Sequence, residues 1–156
     1  MPCFTNNIVN NQIIFACQVT KSHPSEATDL TDFSKHPSLR ALLGTGAQQT
    51  CITEDVATGL DTSPVSWGNL SGVGGQQQCE QYLVDLYISV SEIIGSPLSD
   101  GSSQEMAVFG RGFGETKVSV LPGSTDKWGF DVLLGMDIIM LCHLTLHSRG
   151  AFTLCI

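Results

Sequence analysis

The sequence has 156 residues, of which 42% are hydrophobic and only 14% are charged. This length favours a single domain, residues 1–156, with enough chain for a sizeable core. The formal net charge is −8 with only 7 Lys and Arg residues, so no basic surface for nucleic acid is expected. The 16 glycines and the many β-forming residues favour β-structure with frequent turns.

In chain order, residues 1–7 are expected to form a polar tail, and residues 8–20 predict a strand or a pair of strands. Residues 21–37 are polar and predict a loop. Residues 38–44 end in a fully apolar stretch, which is typical of a central strand. Residues 53–60 predict a short helical turn.

Next comes a long predicted hairpin, formed by residues 64–70 and 79–90 around a glycine-rich tip. Ser and Gly dominate residues 91–104, which therefore predict an exposed loop. The rest of the chain predicts short strands, turns and one helix. Strands are expected at 105–109 and 116–121 around a turn at 110–114, followed by a turn at 122–129 and a strand at 130–134. A helix is expected at 136–142, and the last strands at 144–146 and 152–156 around a turn at 148–150.

The six cysteines leave two interpretations open. Their even number permits three disulfides. However, residues 1–11 contain no apolar segment typical of a secretion signal, and a buried Cys behaves as a small hydrophobe. We therefore expect reduced, buried thiols in a cytoplasmic protein. The longest apolar run, residues 130–146, is interrupted by Asp131 and Asp137, so no membrane span is expected. The cysteines are Cys3, Cys17, Cys51, Cys79, Cys142 and Cys155.

The central feature is residues 39–53, where an apolar strand enters the turn Gly44-Thr45-Gly46. A strand that stops on Gly-x-Gly lets other backbone approach closely. Dinucleotide-binding turns have this feature, and so do the active-site loops of aspartic peptidases, in which Asp would stand at Gly44. The dinucleotide interpretation is weak because Gln49 occupies the position of the third glycine.

A four-residue pattern that occurs twice in the sequence indicates that the chain has two related halves. Ala41-Leu42-Leu43-Gly44 and Val132-Leu133-Leu134-Gly135 have the same form, about ninety residues apart.

The sequence resembles the retroviral-type, or retropepsin-like, aspartic peptidases. The segment Leu42-Leu43-Gly44-Thr45-Gly46-Ala47, followed by Ile52, matches the family pattern of an apolar pair, Asp-Thr/Ser-Gly-Ala and a later apolar step, except at Gly44. The family's flap corresponds to Ser71-Gly72-Val73-Gly74-Gly75. Its second apolar-Gly element corresponds to residues 132–138, including Leu134 and Gly135. The three motifs occur in the family's order, and the resemblance covers residues 8–156.

The resemblance implies an all-β, mostly antiparallel fold with one short C-terminal helix, in which an acid-protease barrel is closed as a homodimer. The flap hairpin, residues 67–80, would close over an extended peptide. The early apolar strand and residues 152–156 would interleave with those of a second copy. Thr45 would hydrogen-bond across the dimer axis, although a simple turn hydroxyl is the alternative. The resemblance implies no cofactor and no metal.

The missing acid decides what the chain can do. In this family, two carboxylates about 3 Å apart share one proton, and one of them activates water. With Gly44 in both subunits, we expect no peptide hydrolysis, although peptide binding could survive. Gly44 is either an engineered inactivation or a natural loss in a peptide- or protein-binding module. A small dinucleotide-binding protein is a more remote alternative.

Three other features have competing interpretations. Trp67 is either a packing residue or a substrate contact. Asp131 and Asp137 could replace the missing acid, but Asp137 also suits the start of a helix. Cys142, His143 and His147 lack the further paired cysteines of zinc sites, so a structural role is expected for them.

Overall fold

The computed structural model describes residues 3–22, 29–30, 37–72, 74–94 and 105–156. These residues form strands and three short helices. The strands are β1 (Cys3–Asn7), β2 (Ile14–Lys21), β3 (Asp29–Leu30), β4 (Leu39–Leu43), β5 (Cys51–Thr53), β6 (Ser66–Gly72), β7 (Gly75–Ile94), β8 (Glu105–Leu121), β9 (Val132–Leu134), β10 (His143–His147) and β11 (Ala151–Cys155). The helices are α1 (Glu54–Gly59), α2 (Thr125–Trp128) and α3 (Met136–Ile139).

Six strands close into a barrel in the order β8, β5, β9, β4, β2 and β7, with β7 pairing back onto β8. Strand β6 extends the sheet beyond β7, and β3 extends it beyond β8. Only the pairs β4–β9 and β5–β8 are parallel among the described strands. The prediction of an all-β, mostly antiparallel barrel is therefore confirmed. Its closure by a second chain stays a prediction.

The core follows the two-residue period of strands, as β11 illustrates. Phe152 and Leu154 are buried, and the residues between and beside them are half-buried. Such alternation places one face of a strand against the core. Phe152 packs edge-on against Phe4, with ring centroids 5.9 Å apart, and Phe4 packs against Phe15 at 5.3 Å. These aromatic contacts fasten the small sheet to the barrel.

That small sheet has the order β1, β11, β10, and it corrects two expectations. Residues 3–7 of the expected polar tail form β1, which pairs antiparallel with β11 from Cys3↔Cys155 to Asn7↔Ala151. Cys3 and Cys155 are joined by a disulfide, so the expectation of reduced thiols is wrong for this pair. The other four cysteines are free, as expected.

The ladder between β7 and β8 is longer than the sequence predicts. The glycines of residues 110–114 predict a hairpin turn, but these residues lie inside the single strand β8 and face β7. The register shifts between Asp85 and Tyr87, where β8 carries one extra residue, and Gly114 there has φ +76°. A bulge of this kind uses glycine because a left-handed backbone is costly for other residues.

The loop expected at residues 91–104 also begins later than predicted, because β7 continues to Ile94. Residues 95–104 lie outside the described residues, as does most of the loop expected at 21–37.

Each helix is short and occupies a connection between strands. Helix α1 coincides with the short helical turn predicted at residues 53–60, and α3 with the first part of the helix predicted at 136–142. Helix α2 lies in a region predicted only as a turn, and it ends at Gly129 with φ +76°. No helix in the described part of the chain has the length and apolar character needed to cross a bilayer.

Candidate active site

The two echoed segments lie side by side. Strands β4 and β9 pair in parallel, with Ala41 opposite Val132 and Leu43 opposite Leu134. Because the strands are parallel and in register, both end at the same edge of the sheet. Gly44 and Gly135 follow the two strand ends, and the Gly44 amide donates to the Leu134 carbonyl at 2.9 Å. The two segments that share the apolar-Gly pattern in the sequence are therefore neighbouring strands in the structure.

A tight turn follows β4. The Ala47 amide donates to the Gly44 carbonyl at 3.0 Å, which closes the turn over Thr45 and Gly46. Thr45 and Gly46 are exposed, whereas Gly44 and Ala47 are partly buried. The turn thus presents the Thr45 hydroxyl and backbone groups to the outside of the single chain.

Gly135 has no space for a side chain. A Cβ atom built there would lie 2.5 Å from the Gln49 carbonyl carbon, 2.7 Å from its oxygen and 2.8 Å from the Thr50 nitrogen. All three are backbone atoms, which cannot turn away as a side chain can. The Gly135 amide also donates to Thr50 Oγ1 at 3.0 Å. A glycine is required here because two backbone segments meet.

Asp137 fastens the loop after Ala47 to helix α3. Its carboxylate accepts from Thr50 Oγ1 at 2.7 Å and from the Thr50 amide at 3.0 Å. It also accepts from the Ile138 amide at 3.0 Å, near the start of the helix. The Met136 amide donates to the Ala47 carbonyl at 2.8 Å. Thr50 is fully buried, whereas Asp137 is exposed, so these bonds are partly buried and join a core residue to the surface.

Both candidate replacement acids accept hydrogen bonds from other groups of the chain. Asp137 is engaged with Thr50, as described above. Asp131 lies just before β9, away from the strand end that carries Gly135. Its carboxylate accepts from the Arg40 amide at 2.7 Å and from Thr125 Oγ1 at 2.8 Å. The sequence interpretation of Asp137 as a residue of the helix start is correct, but it misses the bonds to Thr50. A buried threonine far along the chain leaves no local signal for them.

A side chain at position 44 would clash with one neighbour, Leu133, and touch the Leu134 carbonyl oxygen at 3.7 Å. A Cβ atom built on Gly44 would lie 2.6 Å from Leu133 Cδ1 and 3.4 Å from Leu133 Cγ. The close atom is the end of a half-buried side chain, so a rotamer change of Leu133 would make room. Position 44 is therefore restricted by a movable side chain, in contrast to position 135.

The thiol beside the loop is not a substitute nucleophile. Burial raises the pKa of Cys51 from 9.0 to about 12, with smaller contributions from Cys79 and Asp137. Burial also raises the pKa of Cys17, which lies in β2. A nucleophilic cysteine needs a thiolate at the working pH. The protonated Cys51 thiol instead points to the Gln49 carbonyl, with 3.5 Å between sulfur and oxygen.

Strands β6 and β7 form the hairpin that the sequence predicts at residues 67–80. The pairing runs from Ser66↔Gln81 to Gly72↔Gly75. Gly75 has φ +102°, which is the left-handed region that favours glycine. Ser71, Gly72, Gly74 and Gly75 are exposed at the tip, and Val73 lies outside the described residues. The hairpin is therefore present where the sequence predicts it, and its role as a flap that closes over a peptide stays a prediction.

Comparison with known proteins agrees with this architecture. No protein-family model and no curated protein matches the chain. Among solved structures, the chain is similar to a retropepsin-like aspartic protease from Rickettsia conorii, with 14% sequence identity and a TM-score of 0.56. The match covers 97% of this chain and 89% of that one. At this identity the likeness concerns the fold alone. The chain therefore has the fold of a retropepsin-like aspartic protease.

Proposed function

We propose that the chain is one subunit of a retropepsin-like homodimer that binds an extended peptide, and that Gly44 leaves it without peptidase activity. The observation that carries this proposal is the paired strand ends, where the Gly44-Thr45-Gly46-Ala47 turn is held against Leu134 and Gly135. The turn has the position and surroundings expected of a catalytic loop, and it has no carboxylate.

The loss of activity follows from the chemistry of the acid pair. One carboxylate must accept a proton from water while its protonated neighbour polarises the scissile carbonyl. A glycine hydrogen atom can do neither. The carboxylate of Asp137, two residues after Gly135, accepts hydrogen bonds from Thr50. We therefore expect no hydrolysis by the aspartic mechanism from this chain.

Peptide binding does not depend on that acid. An extended peptide is held mainly by backbone hydrogen bonds to strand-like segments and by pockets for alternate side chains. The β6–β7 hairpin supplies such a segment, and its glycine-rich tip permits movement. A dimer would place two hairpins and two Gly44 turns around one peptide.

The simplest test restores the acid. Gly44→Asp should cleave unstructured peptides at acidic to neutral pH, and a statine-type transition-state analogue should inhibit it. Gly44→Asn is the matched control, because it has nearly the same size and no titrating group. Cleaved peptides are identified by mass spectrometry after incubation at several pH values. A folded Gly44→Asp dimer that cleaves nothing would contradict the proposed peptidase origin.

One observation favours the second candidate, a natural binding module that never had the acid. Leu133 Cδ1 already occupies the space in which the Cβ atom of residue 44 would stand. For such a module, Gly44→Asp alone should remain inactive while peptide binding persists. The double variant Gly44→Asp/Leu133→Ala makes room for the carboxylate. Sequencing the source gene separates an engineered glycine from a natural one.

The dinucleotide alternative has no such support. In the described chain, β4 and its turn lead into strand β5, and no helix stands directly after the Gly44-Thr45-Gly46 turn. A pyrophosphate site of that class needs the N-terminus of a helix at this place. We do not propose it.

A further inference from the structure

A concave site lies away from the Gly44 turn. Helix α1, the β6–β7 hairpin and the end of β8 enclose an open groove of about 460 Å³, here called the α1 groove. Glu54 lines it from α1, Trp67 and Glu80 from the hairpin, and Pro122 from beyond β8. None of its described lining residues belongs to the turn at 44–47 or to residues 132–138. The groove is thus separate from the Gly44 turn, although it shares the β6–β7 hairpin with the candidate active site.

Trp67 is the most unusual residue of the α1 groove. Its side chain is 63% exposed, although indole is among the largest apolar groups a protein can bury. Trp67 lies directly opposite Glu80 in the β6–β7 ladder, so the two side chains are cross-strand neighbours. An exposed aromatic face beside a carboxylate offers two complementary contacts to one ligand group.

A hydrogen bond from Tyr82 holds the Glu80 carboxylate in place. The Tyr82 hydroxyl donates to Glu80 Oε2 at 3.1 Å, and the Tyr82 ring is buried. Burial raises the pKa of Tyr82 above its ordinary value of 10.0, and the hydrogen bond to Glu80 and the negative charge of Glu80 raise it further. The hydroxyl therefore keeps its proton at neutral pH. This donor uses one lone pair of Oε2, which leaves Oε1 and the second lone pair of Oε2 to accept from a ligand. Glu80 is itself partly buried, whereas Glu54 is exposed.

The charges of the groove select a cation. Glu54 and Glu80 line it, and no Lys or Arg is among its described lining residues. The nearby Lys127 is engaged at the rim, where its Nζ donates to the Pro122 carbonyl at 3.3 Å and lies 5.0 Å from the Trp128 ring centroid. The whole chain has a net charge of −8, which attracts basic partners further.

We propose that the α1 groove binds an arginine side chain of a basic peptide segment. A planar guanidinium stacks on an aromatic face and pairs with a carboxylate through a two-pronged hydrogen bond, which a lysine ammonium cannot match. Trp67 supplies the aromatic face, and Glu80 supplies the carboxylate. Glu54, which lines the groove from α1, adds negative charge. This site does not depend on Gly44 or on dimerisation.

The test compares two blocked peptides that differ in one charge. Acetyl-Gly-Arg-Gly-amide should bind in roughly the millimolar range, as expected for one side chain, and its citrulline counterpart should bind at least about tenfold more weakly. Binding is followed by two-dimensional NMR of the labelled protein, with the Trp67 indole signal as the local reporter. Raising the salt concentration should weaken the binding of the arginine peptide and leave that of the citrulline peptide unchanged.

Variants locate the site. Glu80→Gln and Trp67→Leu should each reduce the affinity for the arginine peptide about tenfold, and Glu54→Gln about threefold. Glu115→Gln removes an acid outside the groove and should leave the affinity unchanged. Trp67 and Glu54 are exposed, so their variants should fold, and the NMR spectrum checks this for every variant. Equal binding of the citrulline peptide, unchanged affinity of Glu80→Gln, or shifts confined to residues outside the groove would overturn the proposal.

Discussion

At the scale of single residues, the two glycines after β4 and β9 have different reasons to be glycine. At position 135, the backbone of Gln49 and Thr50 leaves no space for a side chain. At Gly44 the close neighbour is the movable end of Leu133, and the backbone oxygen of Leu134 is at an ordinary contact distance of 3.7 Å. The sequence shows the same apolar-Gly form at both places and cannot tell them apart, because the difference lies in contacts between segments distant in the chain.

The change Gly135→Ala should destabilise the protein by about 1–3 kcal/mol, the usual cost of forcing extra atoms into a packed site. The new methyl group would push Gln49 and Thr50 away from the strand end. The measurement is urea unfolding, with the midpoint and slope compared to the parent chain. Gly59→Ala is the control, because a Cβ atom there has no neighbour within 4 Å. Equal stability of the Gly135→Ala variant and the parent would show that the backbone contact is not tight.

The buried Cys51 thiol should make stability depend on alkaline pH. Its pKa is about 12 in the folded chain against 9.0 when exposed, so the folded state holds the proton more tightly. Its contribution to the free energy of unfolding is complete below pH 9 and declines as the pH rises toward 12, by at most about 1.4 kcal/mol per pH unit.

The measurement is urea unfolding between pH 8 and 11 in a Cys3→Ser/Cys155→Ser background, which prevents disulfide exchange. Cys51→Ser should flatten the decline, because its hydroxyl does not titrate in this range. Some slope should remain from Cys17, whose pKa is also raised by burial. An identical decline with and without Cys51 would mean that this thiol is not shielded in solution.

At the scale of elements, the small sheet β1–β11–β10 joins the two ends of the chain. Strand β1 has mostly exposed, polar side chains, so its backbone pairing with β11 and the contacts of Phe4 hold it in place. The Cys3–Cys155 disulfide fixes the same pair covalently. A bond spanning 152 positions of sequence corresponds to about 5 kcal/mol of stabilisation in the chain-entropy model.

Reductant should therefore lower the thermal midpoint of the protein. Thiol titration after unfolding without reductant should find four free cysteines, and titration after reduction should find six. Cys3→Ser should have the lower midpoint with or without reductant, whereas Cys142→Ser should keep the reductant effect. Six thiols in the unreduced protein would contradict the disulfide. Since disulfides persist in oxidising compartments, that result would favour the expected cytoplasmic location.

Which elements the sequence predicts depends on whether the signal is local. Strand β11 has a clear two-residue period, and the β6–β7 hairpin has a glycine tip between two β-forming runs, so the sequence predicts both. Strand β1 lacks an apolar period, and the glycines at 110–114 suggest a turn. In the structure both are strands because a partner strand supplies their backbone hydrogen bonds. Such partners are far apart in sequence and leave no local pattern.

At the scale of the whole molecule, the proposed homodimer needs a surface on which two chains meet. Both edges of β11 are already paired within the chain, to β1 and β10. In the described residues, the outer edges of β1 and β10 remain. Met140, Leu141 and Leu146 are 74%, 62% and 61% exposed in or just before β10. These three exposed apolar residues mark the surface that we expect to face a second copy.

The expected dimer can be tested by introducing one charged side chain on this surface. Leu146→Lys should convert a dimer into a monomer, since it places a charge in an apolar contact, and sedimentation velocity across a concentration series measures the change. Val65→Lys is the control, because Val65 is 52% exposed and lies outside the small sheet. A parent chain that sediments as a monomer at every concentration would contradict the homodimer.

The bond between Cys3 and Cys155 also affects how self-digestion would be observed. It links the beginning of the described chain to its end, so one cut between them leaves both fragments attached to each other. An active Gly44→Asp variant that nicks itself once would run as an intact molecule on a gel without reductant. Only the reduced sample would reveal the pieces, and it is the one in which autolysis should be scored.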